Sequence, residues 1–462
     1  MSFSSPGFLS FAAAAALGFR LAPRAWRARY LLVVSYAYCA AWSPAHALIL
    51  LAATAVAYRT GLRLAYGAAR GAERRLAAAV VLLLGALAFF KLFNAAGAAL
   101  AGPGAPRLLV PIGLSYYTFK LVGYMIDVHW GRIPPEKDFA AFAAYAAFFP
   151  QIFSGPIQRP ADFLSQLAAP EERGTALAAA GVRRIVFGLF QKIVVADRLA
   201  EVVDAVYAAP ASFHGVQTLI AIAAFSVQLY ADFSGVTDIA IGAGLLFGIR
   251  APENFAAPFY SSNFQEFWRR WHMSLTSWLT DYLFIPLRMA FRRYGGAGLA
   301  ASVFLTMLAV GLWHGVRWNF AIFGAINGVF LAVSALTLAR RDRFFNKCPR
   351  WMARPRRVAG MLIVFALMSF AHVFFRAETP GVAWSVLRSA ASAGPWRPGF
   401  GLEWTAADAA LLGASVLLMI AAHLTDAVES AGGVPAVLAY AAVLFLLLTS
   451  GAPSAPFIYF QF

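Results

Sequence analysis

The chain has 462 residues, 61% of them hydrophobic and only 13% charged, with a mean hydropathy of +0.67. Values this apolar lie outside the range of soluble globular domains and exclude a soluble enzyme or a disordered chain. Lys and Arg outnumber Asp and Glu by 38 to 21, a formal net charge of +17. In an apolar chain the positive-inside rule accounts for most of that excess, so no nucleic-acid partner is expected.

Apolar runs of about 18 or more residues recur, each long enough to cross a hydrocarbon core of roughly 30 Å. Backbone groups in that core must satisfy one another. Ala/Leu/Val/Phe runs without strict alternation therefore select helices over a closed barrel. The expected class is an all-α, polytopic integral membrane protein, forming a single membrane-embedded domain over 1–462. Cys39 and Cys348 are the only cysteines and have no metal-type spacing, so neither a disulfide framework nor a thiol mechanism nor a metal centre is expected.

In chain order, Phe8 to Leu17 reads as a retained membrane helix with its N-terminus outside, because Arg20, Arg24, Arg27 and Arg29 follow rather than precede it. The stretch 30–58 is broken by Ser43-Pro44 and predicts a hairpin of two short helices. Spans follow at 76–94 and from Ile112 to Trp130, then a shorter apolar piece, Phe139–Phe153, and the loop Ser154-Gly155-Pro156-Ile157-Gln158-Arg159-Pro160. Segment 181–207 mixes apolar residues with Arg183, Arg184, Lys192, Asp197 and Arg198, predicting a helix with one polar face. Spans at 216–231 and 236–249 flank Asp232-Phe233-Ser234-Gly235.

The stretch 263–294 interleaves Trp, Phe and Leu with Glu266, Arg269, Arg270, His272 and Asp281. It is too polar to cross lipid alone and is expected to lie along an interface or to dip into the protein. Spans at 298–315 and 317–338 lead to a basic loop, from Arg340-Arg341-Asp342-Arg343 through Lys347 and Arg350 to Arg354, Arg356 and Arg357, which the same rule places in the cytoplasm. Spans at 358–375, 406–424 and 433–449 and an aromatic tail, Phe457–Phe462, end the chain.

An imidazole at membrane depth is costly to keep and marks a candidate functional site. His314 sits in Gly311-Leu312-Trp313-His314-Gly315. Acyl transfer needs a base for the attacking hydroxyl, and neutral imidazole suits that role. Gly311 and Gly315 leave room for backbone or substrate to approach, Trp313 and Trp318 are candidates to wall a narrow passage, and Asn319 and Asn327 fall on one helix face. The bland alternative is a histidine hydrogen-bonded between helices. His272 has a stronger one, an interfacial ion network with Glu266, Arg269 and Arg270, within which Glu266 and Arg270 are spaced as an i,i+4 pair. Asp232 and Asp238 each require a cationic partner, and a loop arginine is the candidate.

The segment Phe267-Trp268-Arg269-Arg270-Trp271-His272-Met273-Ser274-Leu275, followed by Asp281-Tyr282-Leu283-Phe284-Ile285-Pro286-Leu287 and Gly311-Leu312-Trp313-His314-Gly315, resembles the membrane-bound O-acyltransferase (MBOAT) family, in its bacterial branch acting on extracellular polysaccharides such as alginate. Pro111–Phe119, Phe149–Ile157, Tyr230–Gly235, Phe374–Ala377 and the tail fit in the same order over nearly the whole chain. The resemblance implies roughly 11–13 membrane helices with interfacial or re-entrant segments around a central tunnel. It also implies His314 as the catalytic histidine and His272 as the family's second characteristic histidine. Trp271, Ser274 and Asp232 join Trp313, Trp318, Asn319 and Asn327 as candidates to line the tunnel. Two departures stand out: Arg288–Gly296 replaces a Gly-Gly-Asn-Arg-like turn, and His372 occupies a position where an aromatic is expected.

What this resemblance implies is an O-acyltransferase of the bacterial inner membrane. The acyl donor, acetyl-CoA or an acylated carrier, enters from the cytoplasm as a substrate, with no permanently bound cofactor. The acceptor is a polysaccharide or a periplasmic acetyltransferase partner on the outer side, in a protein otherwise surrounded by membrane lipids. His314 acts as general base while His272 or nearby amides position the acyl carbonyl. D-alanyl transfer to a cell-envelope polymer is the alternative within enzymes. A polysaccharide or lipid transporter, with the histidines as a proton relay, is the alternative outside them.

Overall fold

The computed structural model describes residues 3–65, 71–101, 108–111, 113–168, 174–345, 347–395, 398–402, 404–424, 443, 446–447 and 458. Every regular element among them is helical. Six helices are long and apolar enough to cross a membrane: Pro44–Leu64, Ala72–Phe93, Val216–Leu246, Arg292–His314, Trp318–Phe345 and Ala353–Arg376. Pro6–Leu21 and Ala406–Ala422 are shorter apolar helices. The protein is thus an all-α, multi-pass membrane protein. Most of the predicted span at 433–449 and all of the tail except Ile458 lie outside the described residues.

The chain divides into two compact units, one of Met1–Val186 with Val236–Pro252 and one of Phe187–Gly235 with Glu253–Phe462. In the first, Ser5 caps Pro6–Leu21 by accepting from the Phe8 N–H at 3.2 Å. Ser43-Pro44 breaks the predicted hairpin where expected, between Arg27–Trp42 and Pro44–Ala65, because proline has no N–H to continue the first helix. The second arm is not short, however: it is 22 residues long and meets the length of a span.

The loop from Ser154 to Pro160 is largely buried, and hydrogen bonds to other buried groups hold Gln158 within it. Gln151 donates to the Gln158 Oε1 at 2.7 Å, Gln158 Nε2 to the Arg250 carbonyl at 2.9 Å, and Tyr145 Oη to the Gln158 carbonyl at 3.1 Å. Irregular backbone is tolerated at depth only when buried in protein in this way. Asp238 finds its cation in Arg184, 2.8 Å away, which lies on the helix Thr175–Leu189 and not in a loop.

The second unit carries the histidine segments. Segment 181–207 ends in it as a π-helical stretch, Phe190–Ala196, and the helix Asp197–Ala208. The two spans predicted at 216–231 and 236–249 prove to be one helix, Val216–Leu246, that runs through Asp232-Phe233-Ser234-Gly235 without a break. These residues read as a break because they are small or polar. In place they serve close packing, since a Cβ at Gly235 would stand 2.6 Å from the Gly188 carbonyl oxygen. Interfaces in membranes use small residues for this purpose. Asp232 is paired with Lys192 at 2.8 Å, and Lys192 also holds Asp197 at 2.7 Å, with all three side chains buried. The Ile458 N–H donates to the other Asp232 oxygen at 2.7 Å.

The segment 263–294 splits as its composition suggests. Its first part, with helices Phe264–Trp268 and Met273–Leu279, buries Phe264, Phe267, Trp268, Trp271, His272, Leu275 and Trp278. The second part, through Ile285–Ala290, faces outward with Ile285, Met289 and Tyr294 exposed. Helices Gly295–His314 and Trp318–Phe345 then form a tight antiparallel pair, joined by a three-residue turn at Gly315, Val316 and Arg317.

Candidate active site

His314 is the last residue of its helix, and Gly315 ends the helix in an extended conformation. Its half-buried imidazole meets Trp313 at 4.7 Å, Phe375 at 4.9 Å, Phe323 at 6.3 Å and Phe320 at 6.4 Å between ring centroids. Phe375 lies at the end of Ala353–Arg376 and Phe320 at the start of Trp318–Phe345. Both helices have their other ends at the basic loop. From Phe320 to Arg340 the chain covers about 20 residues, roughly 30 Å of helix at 1.5 Å per residue. His314 therefore sits at the end of these helices remote from the basic loop.

The glycines beside His314 do admit close approach, and what approaches is protein. A Cβ on Gly311 would stand 2.2 Å from the Phe320 carbonyl oxygen and 2.9 Å from Gly324, and one on Gly315 would stand 2.6 Å from the Phe320 ring. Helix-on-helix contact at this point sets the position of His314. Gly311→Ala is expected to force the pair apart, costing about 1–3 kcal/mol as an overpacked core does. It should lower the melting point of the detergent-solubilised protein together with its activity; a wild-type melting point would contradict this account.

His272 is not part of an ion network. Glu266 pairs with Arg270 at 3.0 Å, the predicted i,i+4 contact, and also accepts from the Ser262 N–H at 2.9 Å. His272 lies apart from them, 2% exposed, with its ring against Phe233 at 4.7 Å and Trp313 at 6.3 Å. Its Nδ1 is 3.3 Å from the Asn254 Oδ1, and its Nε2 is buried with no hydrogen-bond partner among the described residues. Burial pushes the imidazole down to about 3, so it is neutral at physiological pH. An unfolded chain would bind a proton on this ring near pH 6.5. Acidification between those two values consequently favours unfolding.

The other candidates separate. Trp271 is buried in an aromatic cluster, stacked on Phe267 at 5.5 Å and edge-on to Phe255 at 5.1 Å. Ser274 donates its hydroxyl to the Asn254 Oδ1 at 2.6 Å. Asn319 Nδ2 donates to the carbonyls of Phe374 at 3.2 Å and Ala377 at 2.8 Å, tying off the end of Ala353–Arg376, and Asn327 Nδ2 donates within its own helix to Phe323 at 2.9 Å. Trp313 is half-buried between the two histidine rings, whereas Trp318 is 79% exposed and faces outward. Asp232 is occupied by Lys192.

His372, the departure from the expected aromatic, is buried with its Nδ1 2.9 Å from the Ser226 Oγ, and it stacks on the same Phe323 ring that His314 meets. Asn254 was missed in the sequence, because an asparagine in Pro252-Glu253-Asn254-Phe255 reads as ordinary turn chemistry. Only its contacts in space with Ser274 and His272 distinguish it.

Two histidines, one fully buried and one at a helix end, thus flank Trp313 on a multi-pass helical scaffold. The MBOAT, membrane-bound O-acyltransferase family, profile matches residues 134–375. The chain is 36% identical over 416 residues to the probable alginate O-acetylase AlgI of Azotobacter vinelandii, covering 86% of this chain and 79% of that protein. The corresponding protein of Pseudomonas aeruginosa is also 36% identical over 416 residues, with 86% and 76% covered. The teichoic acid D-alanyltransferase of Bacillus subtilis is 30% identical over 280 residues, 58% of this chain and 69% of that one. The chain belongs to the membrane-bound O-acyltransferase family and is an O-acyltransferase.

Proposed function

We propose that the protein moves an acetyl group from acetyl-CoA in the cytoplasm to a hydroxyl on the far side of a bacterial inner membrane, for the O-acetylation of an exported polysaccharide. The observation that carries the reading is the place of His314, at the end of its helices away from the basic loop. A base there can serve an acceptor arriving from outside while the donor's phosphates stay at the basic end. Exposed Arg340, Arg343, Lys347, Arg354, Arg356 and Arg357 at that end complement a phosphate-rich donor. The alginate O-acetylase relatives support polysaccharide acetylation as the purpose.

In this reading His314 takes the proton from the acceptor hydroxyl as its oxygen bonds to the acetyl carbonyl carbon. The thioester C–S bond breaks and the thiolate leaves with a proton, regenerating the neutral imidazole. The acceptor is the polymer itself or a hydroxyl of a periplasmic acetyltransferase partner that passes the group on. The whole chain acts as one membrane-embedded acyltransferase domain.

Inside-out vesicles containing the protein, given acetyl-labelled acetyl-CoA, are expected to transfer label to extracytoplasmic material, and the exported polymer of cells lacking the chain should lose one acetyl substituent by mass spectrometry. Label transfer only from a D-alanyl-charged carrier protein would replace this reading with the D-alanyl one.

A further inference from the structure

Asn254 is fully buried; its side-chain oxygen accepts from the Ser274 N–H at 3.3 Å and the Ser274 hydroxyl at 2.6 Å and lies 3.3 Å from the His272 Nδ1. A backbone N–H can only donate, so the Asn254 atom facing Ser274 is the carbonyl oxygen and not the amide nitrogen. An oxygen that only accepts must in turn meet a protonated Nδ1. In a neutral ring the proton then sits on Nδ1 and the lone pair on Nε2.

The backbone reinforces this grip. The Met273 N–H donates to the Asn254 carbonyl at 2.9 Å, and the Ala256 N–H to the Arg270 carbonyl at 3.1 Å. Between these contacts His272 has φ 43° and ψ 53°, in the left-handed region that few residues other than glycine adopt. Such strain persists where the surroundings over-determine it, commonly at functional sites.

We infer that Asn254 is a positioning residue that locks His272 in the Nδ1–H tautomer, so that the buried Nε2 accepts a hydrogen bond from a hydroxyl or amide N–H of the substrate. This rests on the proposed acyl transfer. It also reverses the role expected for His272: a bare Nε2 repels a carbonyl oxygen, so the ring orients a donor group and does not stabilise the oxyanion.

The neutral state is undisturbed by near charges. Phe233 and Trp313 supply the ring contacts to His272, and Asp232, next to Phe233, is engaged by Lys192. On the facing loop Glu253 is exposed, and on its own segment Arg269 is exposed and Arg270 is held by Glu266. Among the described residues His314 lies beside Trp313, and His372 and Tyr230 lie against Trp271.

The first test needs no activity. Solid-state ¹⁵N NMR of the histidine-labelled full chain in lipid, with His272 assigned through its loss in His272→Gln, should show a protonated Nδ1 and a bare Nε2. Asn254→Ala should let the proton redistribute to Nε2. A wild-type Nε2–H tautomer, or no change in Asn254→Ala, overturns the inference, and the wild-type measurement stands even if the variant does not fold.

The second test follows acetyl transfer from acetyl-CoA against pH. Wild type should show no acid limb from His272 between about pH 5 and 8. Asn254→Asp puts a carboxylate on Nδ1 and favours the imidazolium, so an acid limb should appear in that range. Asn254→Ala should lower kcat by roughly tenfold or more, as loss of an orienting partner typically does, with the amount of folded protein preserved. An Asn254→Asp profile identical to wild type contradicts the inference. Absence of transfer by wild type would instead sink the proposed reaction and leave the NMR result to decide the tautomer.

Discussion

His314→Ala is expected to lower acyl transfer by about 10²–10⁴-fold, the usual contribution of a positioned general base, while leaving expression and membrane insertion near wild type. The imidazole is half-buried at a helix end and packs against aromatic rings. Its removal should therefore cost only about 1 kcal/mol of stability. The site and the fold are thus separable at this residue. Label transfer in membranes measures the first and the melting point in detergent the second. Activity within a few-fold of wild type in His314→Ala would remove His314 from the reaction, and a collapsed melting point would make it structural. His314→Gln, which keeps polarity without basicity, should be as inactive as the alanine variant.

Lys192→Met is the opposite case, a large effect on the fold at a residue with no assigned part in the reaction. One ammonium holds Asp197 at 2.7 Å and Asp232 at 2.8 Å in a fully buried cluster. Methionine fills similar volume but leaves both carboxylates without their shared cation. Removing one partner of a buried pair costs about 3–5 kcal/mol because the remaining charge stays desolvated. The variant is expected to accumulate poorly and to melt well below wild type. Adding Asp197→Asn and Asp232→Asn to Lys192→Met should recover much of the loss, since no buried charge then remains. If the single variant melts like wild type, the triad does not carry the stability assigned to it.

Together these predictions separate chemistry from architecture in a chain whose two kinds of polar residue look alike in sequence. His314 and Asp232 both appear as isolated polar residues in apolar stretches, and each was a reasonable candidate for the site. Asp232 is committed to Lys192 and the Ile458 amide, whereas His272 keeps a buried nitrogen with no partner among the described residues.

Composition alone determined the class: apolar runs must become helices in lipid, where backbone groups have no water to bond. Proline at 44 placed a helix boundary correctly, since a missing N–H is a local property. The ordered motifs around His272 and His314 identified the family. Partners remote in the chain were illegible, because pairing depends on which helices meet. Asp232–Gly235 therefore looked like a break until Gly188 and Lys192 were found against it. Asn254 looked like a turn residue until Ser274 and His272 were seen to share its oxygen. The residue types were set by the chain, and the hydrogen-bond geometry that gives His272 a single tautomer exists only once the loop at 254 packs against the turn at 272.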